Sequence, residues 1–123
     1  MIAADASSFR RHSAGERGND VAAVENALRN EELFFPPPVV TELLSDPRAD
    51  EQIADVIIHI PQLELTDGFW ERAGFLRAAL LRAGVKVHVA DTLIAQCCID
   101  HDVPLITHDR DFRHFVKAGL KLL

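Results

Sequence analysis

Apolar residues along this chain follow two spacings. Short uninterrupted runs at 2–4, 33–35, 63–65 and 104–107, bounded by charged or turn-forming residues, predict buried strands, the first ending at Asp5. Helical spacing predicts most of what lies between them. Val21, Val24, Ala27 and Leu28 share one face of a helix over 20–30. Phe69, Ala73, Leu76, Leu80 and Ala83 do so over 68–83, with Asp67 as a suitable N-cap and Gly84 able to close the C-terminus. Pro36, Pro37 and Pro38 break the chain. Pro38 can open a helix that carries Glu42 and stops near Asp46-Pro47, because the first N–H of a helix has no partner to lose. Further helices are predicted over 49–58, 90–102 and 111–118. Strands alternating with helices give an α/β class, with a central, mainly parallel sheet covered by helices on both faces.

Composition narrows this picture. At 123 residues, 48% hydrophobic and 26% charged, the chain is expected to form a single domain over 1–123, with no second domain. No apolar run approaches the roughly 20 residues that cross a bilayer, and no basic segment leads into a sustained apolar stretch. A soluble cytoplasmic protein without membrane contact is therefore expected. The two cysteines, Cys97 and Cys98, are adjacent inside a helical pattern, which suits neither a disulfide framework nor a zinc site and predicts reduced core residues.

Candidate chemistry lies in the carboxylates. In open parallel sheets, ligands collect at the carboxyl ends of the strands, where the following helices point their N-termini. Asp5 ends the first strand, Asp109 follows the last, Asp91 sits in the first turn of its helix, and Glu42 lies early in another. They are distant in sequence, so only the fold can bring them together. Clustered carboxylates repel, and a cation is needed to neutralise them. Oxygen ligands with no competing Cys/His set suit magnesium or manganese. Taken singly, each acid also has an ordinary reading: 19 of 123 residues are acidic, so an acid at any one loop position is unremarkable. Aspartate at a helix start caps it, and Glu42 alone reads as a solvated helix residue. Asp5 is harder to explain that way, because a charge closing a hydrophobic strand costs energy unless it is used.

Four segments in order carry a family resemblance: Asp5-Ala6-Ser7 after the opening strand, the Pro-Pro-Val-Val-Thr-Glu-Leu-Leu stretch around Glu42, Ala90-Asp91-Thr92-Leu93-Ile94-Ala95, and the run from Leu105 through Thr107-His108-Asp109-Arg110-Asp111 to Phe112. Together they resemble PIN-domain ribonucleases of the VapC toxin type over essentially the whole chain. The resemblance implies a three-layer α/β/α fold and magnesium- or manganese-dependent endoribonuclease activity. It also implies a homodimer and inhibition by a cognate antitoxin protein. Carried onto this sequence, it makes Asp5, Glu42, Asp91 and Asp109 the catalytic acids, with Asp5, Asp91 and Asp109 as metal ligands. Ser7 matches a small polar residue near the first aspartate, and Thr107 a hydroxyl residue before the fourth acid. Asp111 lies in the same motif; Asp109 is preferred because Asp111 reads as a cap for the last helix. Arg10-Arg11-His12 stand where more apolar residues are common, which bears on the local helix and not on the site.

For RNA, the candidate contacts are Ser7, Arg10, Arg11 and Thr107, with Arg110, Arg113 and Lys117 on one helical face. The net charge of −6 opposes a nucleic-acid surface, but setting aside the four acids leaves −2, and one or two divalent cations bring the total to 0 or +2. The six histidines show no paired zinc-ligand spacing; His108, beside Asp109, is the one placed for a substrate role. Phe69, Trp70, Leu76 and Leu80 read as core or dimer interface. Two other classes stay open: a non-catalytic PIN-like binding module, and a receiver-like signalling domain, whose phosphoacceptor strand residues 55–61 superficially resemble although His59 stands at the acceptor position.

Overall fold

A computed structural model describes Met1–Leu123, and its organising element is the strand of the opening apolar run. That strand, β1 (Ile2–Ala4), lies between β2 (Leu33–Phe34) and β3 (Leu105–Ile106), both parallel to it. Ala3 and Ala4 are completely buried. A strand covered on both faces has no wet side, which is why these runs read as continuous apolar stretches and not as alternating ones. Ala3 pairs with Phe34 on one side and Leu105 on the other. Single parallel bridges, Phe35 to Gln62 and Leu105 to Leu122, extend the two edges.

Helices α1 (Ala6–Ser13), α2 (Asn19–Arg29), α3 (Pro37–Leu44), α4 (Glu51–His59), α5 (Phe69–Arg82) and α6 (Val89–His101), with a 3-10 helix at Arg110–Ala118, complete a three-layer α/β/α fold. α1 packs on α2 and α3, α3 on α4 and α6, and α5 on α6. Phe35, Phe69, Phe112 and Phe115 are fully buried, and Phe9 meets Phe35 edge to face at 5.2 Å. The segment over 55–61 that resembled a receiver strand is mostly α4, so that reading has no strand to rest on. Cys97 and Cys98 are free and buried, and burial pushes the Cys97 thiol up to about 12, as inert core residues require. No helix is long and apolar enough to cross a membrane.

Several local expectations change. The basic run after Asp5 does form helix: α1 needs only Ala6, Ser8 and Phe9 facing inward, and Arg11 turns outward to Asp20 at 3.0 Å and Glu16 at 2.8 Å, tying α1 to the start of α2. Residues 63–65 are not a strand. The Glu64 carbonyl contacts His101 Nε2 at 2.6 Å, and only Leu63 N–H reaches the Phe35 carbonyl, at 2.9 Å. Asp67 does not cap α5. Gly68 stands at the N-cap with φ 81°, a conformation glycine adopts without strain, and Arg72 Nη1 donates to the Asp67 carbonyl at 2.6 Å. Along α5, Phe69 and Ala73 are buried and Leu76 and Leu80 partly so, but Trp70 and Ala83 are exposed. Gly84 closes the helix as expected, with φ 84°. The last helix is 3-10, not α, and its buried Phe112 and Phe115 are three apart, matching three residues per turn. At that period Arg110 and Arg113 stay aligned while Lys117 rotates off their face.

Asp100 of α6 anchors this side of the molecule. Arg72 donates to both its oxygens, at 3.1 and 2.6 Å, and Gln96 donates at 2.8 Å. Burial alone would raise the Asp100 carboxyl, but Arg72 and Gln96 hold it below the usual range. Arg72→Ala should lower unfolding stability at pH 7 in urea titrations, because it leaves the Asp100 carboxylate with fewer donors. A carboxyl lowered by folding contributes stability above its unfolded value of about 3.9 and loses it as pH falls through the folded value. The wild-type and Arg72→Ala curves should therefore converge in acid, and a gap that stays constant would show that the ion pair is not its source.

Candidate active site

The chain runs outward from β1 to β2 on one side and later returns to β3 on the other. Between β1 and β3 the direction of winding reverses, and the loops leaving these two strands diverge around a crevice. Asp5 leaves β1 at that crevice, and Thr107 to Asp109 leave β3.

Asp5 is buried and N-caps α1, accepting the Ser8 N–H at 3.1 Å. Ser7 Oγ lies 2.8 Å from each of its carboxylate oxygens, and Thr107 Oγ1 donates to Oδ2 at 2.6 Å. Both hydroxyls also accept backbone N–H groups from the β3 loop: His108 N–H reaches Ser7 Oγ at 3.1 Å, and Asp109 N–H reaches Thr107 Oγ1 at 3.0 Å. The loop after β3 is thus stitched to the end of β1 through two side-chain hydroxyls. Ser7 and Thr107, candidates for RNA contact, point their hydroxyls at Asp5.

Asp109, not Asp111, caps the last helix: its Oδ1 accepts the Asp111 N–H at 2.9 Å. The reason for preferring Asp109 as the site acid was therefore inverted, since the capping role attributed to Asp111 belongs to Asp109. Asp111 is exposed in the first helical turn. One carboxylate oxygen from each of Asp91, Asp109 and Asp111 lies within 4.8 Å of the others. The Asp-x-Asp spacing at 109 and 111 was the sequence signal for this grouping.

Asp91 stands in the first turn of α6, at the positive end of the helix dipole. Glu42 is not early in its helix as expected, because α3 starts at Pro37 and ends at Leu44, leaving Glu42 in the last turn. There it meets the negative end of the dipole and gains no help from it. Its Oε1 is buried without a hydrogen-bond partner. Asp5, Glu42, Asp91 and Asp109 line one cavity of about 120 Å³, together with Ser7, Arg10 and Phe112 among others. Arg110 and Arg113 are exposed on the helix that Asp109 caps, and Arg113 Nε donates to the Arg110 carbonyl at 3.0 Å.

The electrostatics follow from this crowding. Burial raises the Asp5 carboxyl, with the charge of Asp109 adding to it, against the pull of the Thr107, Ser8 and Ser7 donors. Burial also raises Glu42, helped by the charges of Asp91 and Asp5 and opposed by Arg10. Asp91 is raised by burial, then by Asp109, with Asp111 and Asp5 adding to it and His88 opposing. Three carboxyls raised first by burial and then by neighbouring negative charge call for positive charge among them. An orphaned buried oxygen on Glu42 and a trio of carboxylates within reach of one ion fit a hard divalent cation.

A family model described as PIN domain matches residues 2–118. No curated protein matches the sequence. Among solved structures, a chain of VapBC2 from Rickettsia felis, bound to a DNA fragment from their promoter, superposes with a TM-score of 0.75 at 20% identity, covering 100% of this chain and 98% of that one. A chain of VapBC-5 from Mycobacterium tuberculosis, a member of the VapBC family of toxin-antitoxin systems, superposes at 0.58 and 20% identity, covering 74% of this chain and 82% of that one. At this identity the two structures speak for the fold alone.

Because folding raises the Asp91 carboxyl, its ionisation opposes folding. The penalty is absent below the unfolded value of about 3.9 and complete above the folded one. In EDTA at pH 7, Asp91→Asn should melt a few degrees above wild type, with the difference shrinking toward pH 4. A lower melting temperature at pH 7 would show that burying the Asp91 charge among its acidic neighbours is not a cost the fold bears there.

Proposed function

The chain belongs to the PIN-domain family, and on that premise we propose that it is a magnesium- or manganese-dependent endoribonuclease, the toxin of a toxin–antitoxin pair. The observation that carries the reading is the convergence of Asp5, Glu42, Asp91 and Asp109 on one cavity, where Glu42 Oε1 is buried and unbonded. Asp5, Asp91 and Asp109 are the proposed metal ligands, and Glu42 completes the set. When bound, a divalent cation supplies water activation and neutralises charge on the phosphoryl oxygens.

The chain's own residues supply the rest. Asp5 is oriented by Ser7, Thr107 and the Ser8 N–H before any substrate arrives, so its reorganisation cost is met in folding. Glu42, with its carboxyl raised, takes the proton that an attacking water gives up. The water oxygen bonds to phosphorus, the phosphorus–oxygen bond to the leaving nucleotide breaks with its electron pair going to the leaving oxygen, and that oxygen takes a proton from solvent. Arg10, Arg110 and Arg113 are the proposed cations for RNA phosphates.

The toxin role, with an antitoxin protein as partner, is supported by the two VapBC structures that share the fold. A homodimer is supported by Trp70, Phe75, Leu81 and Val89, large apolar residues left exposed on α5 and at the start of α6. The same reading takes the chain as one nuclease domain acting in the cytoplasm.

Incubated with a panel of cellular RNAs, the protein should cut in Mg²⁺ or Mn²⁺ and stop in EDTA. Asp5→Asn and Asp91→Asn should each slow cleavage by at least the roughly 10–100-fold that losing even an outer hydrogen-bond partner costs a metal site. Full activity in both variants would remove these residues from the mechanism, and a wild-type protein without activity would favour a PIN-like binding module.

A further inference from the structure

The wall of the acid cavity contains one basic side chain, Arg10. Its guanidinium is held in place by one hydrogen bond and has one long ion pair. Nη2 donates to the Glu42 carbonyl at 2.9 Å, which ties the cation to the element that carries a site acid. The nearest carboxylate, Asp46, stands 3.7 Å from Nε, and both its oxygens already accept from Arg48 at 3.1 Å. With 42% of the side chain exposed, donors of the five-donor guanidinium fork stay accessible. Arg11, the next residue, differs: it is committed to Asp20 and Glu16 at 3.0 and 2.8 Å.

Arg10 also lines a second cavity, of about 330 Å³, bordered by Phe9, Leu43, Ile53 and Ile57, so it stands where the two adjoin. An RNA strand whose scissile phosphate sits among carboxylates brings further phosphates with it, one per nucleotide. On a chain of net charge −6 the general field does little to attract them, and a fixed local cation must.

We propose that Arg10 binds the RNA phosphate adjacent to the scissile one and thereby sets the register of the strand on the acid site. The proposal rests on the ribonuclease reading. A guanidinium suits the task because its planar fork engages two phosphoryl oxygens at once, which fixes direction as well as charge. Tethering by the Glu42 carbonyl holds that fork at a set distance from the acids, so the phosphate it holds defines which bond meets them.

Steady-state cleavage of a labelled, mixed-sequence single-stranded RNA in Mn²⁺, at several KCl concentrations, tests this. Arg10→Ala and Arg10→Met should raise KM about 10-fold while kcat stays within about 3-fold, and the plot of log(kcat/KM) against log[KCl] should become shallower by about 0.7. Arg10→Lys should recover part of the KM. Arg29→Ala, which removes an equal charge from the exposed face of α2, should leave KM and slope unchanged. Unchanged KM and slope in both Arg10 variants would overturn the proposal. So would a fall in kcat with normal KM and a lowered melting temperature, which marks Arg10 as a structural tie between α1 and α3. A wild-type protein that cuts no RNA overturns the nuclease reading and this proposal with it, whereas wild-type cleavage indifferent to Arg10 removes this proposal alone.

Discussion

Removing a carboxylate from water costs several kcal/mol unless donors replace the lost hydration, and Asp5 is buried at the end of the central strand. Three donors meet it: the Ser8 N–H, which makes the carboxylate a helix cap, and the hydroxyls of Ser7 and Thr107. Because those hydroxyls in turn accept N–H groups of His108 and Asp109, satisfying Asp5 also fixes the loop that follows β3. A single desolvation constraint thus joins the two ends of the chain, since Asp5 and Thr107 are 102 residues apart. Asp109, on that loop, inherits its position from this junction, while α3 and α6 bring Glu42 and Asp91.

Those acids differ in how well the fold satisfies them. Asp5 has three donors on its two oxygens, and Asp109 is partly occupied by capping. Glu42 keeps a buried oxygen with no partner, and Asp91 is pushed up chiefly by burial and its neighbours' charge. The fold therefore completes the orientation of one carboxylate and leaves the others with unmet demand for positive charge. Such residual strain is the pattern expected where stability has been given up for a site.

Much of this was legible in the sequence, for reasons that can be traced to particular residues. Strands buried on both faces leave unbroken apolar runs, so β1, β2 and β3 stood out, and Asp5 was conspicuous as a charge closing such a run. The segment over 63–65 reads as a strand because of its apolar content, but that content reflects burial of Leu63 alone, and the Glu64 carbonyl is held by His101, distant in sequence. The capping roles of Asp67 and Asp111 were misassigned for a related reason. Cap preference is similar for every Asp near a helix start, and only the backbone shows which one has extended φ and ψ at the boundary; that residue is Asp109, while glycine takes the place beside Asp67. Glu42 falls in the last turn because α3 starts at Pro37 and ends at Leu44, bounds that periodicity does not resolve. That four acids share one cavity was not readable from spacing at all, because strand order decides it.

On the proposed reading, this crowded carboxylate pocket binds a divalent cation. Direct titration of the wild-type protein with Mn²⁺, followed by electron paramagnetic resonance and by proton release in weak buffer, addresses that claim without depending on any substrate. Saturable binding is predicted, with more protons released per ion at pH 5 than at pH 8, because Asp5, Glu42 and Asp91 are all raised and must ionise to bind. Absence of saturable binding, or binding accompanied by no pH-dependent proton release, would contradict it.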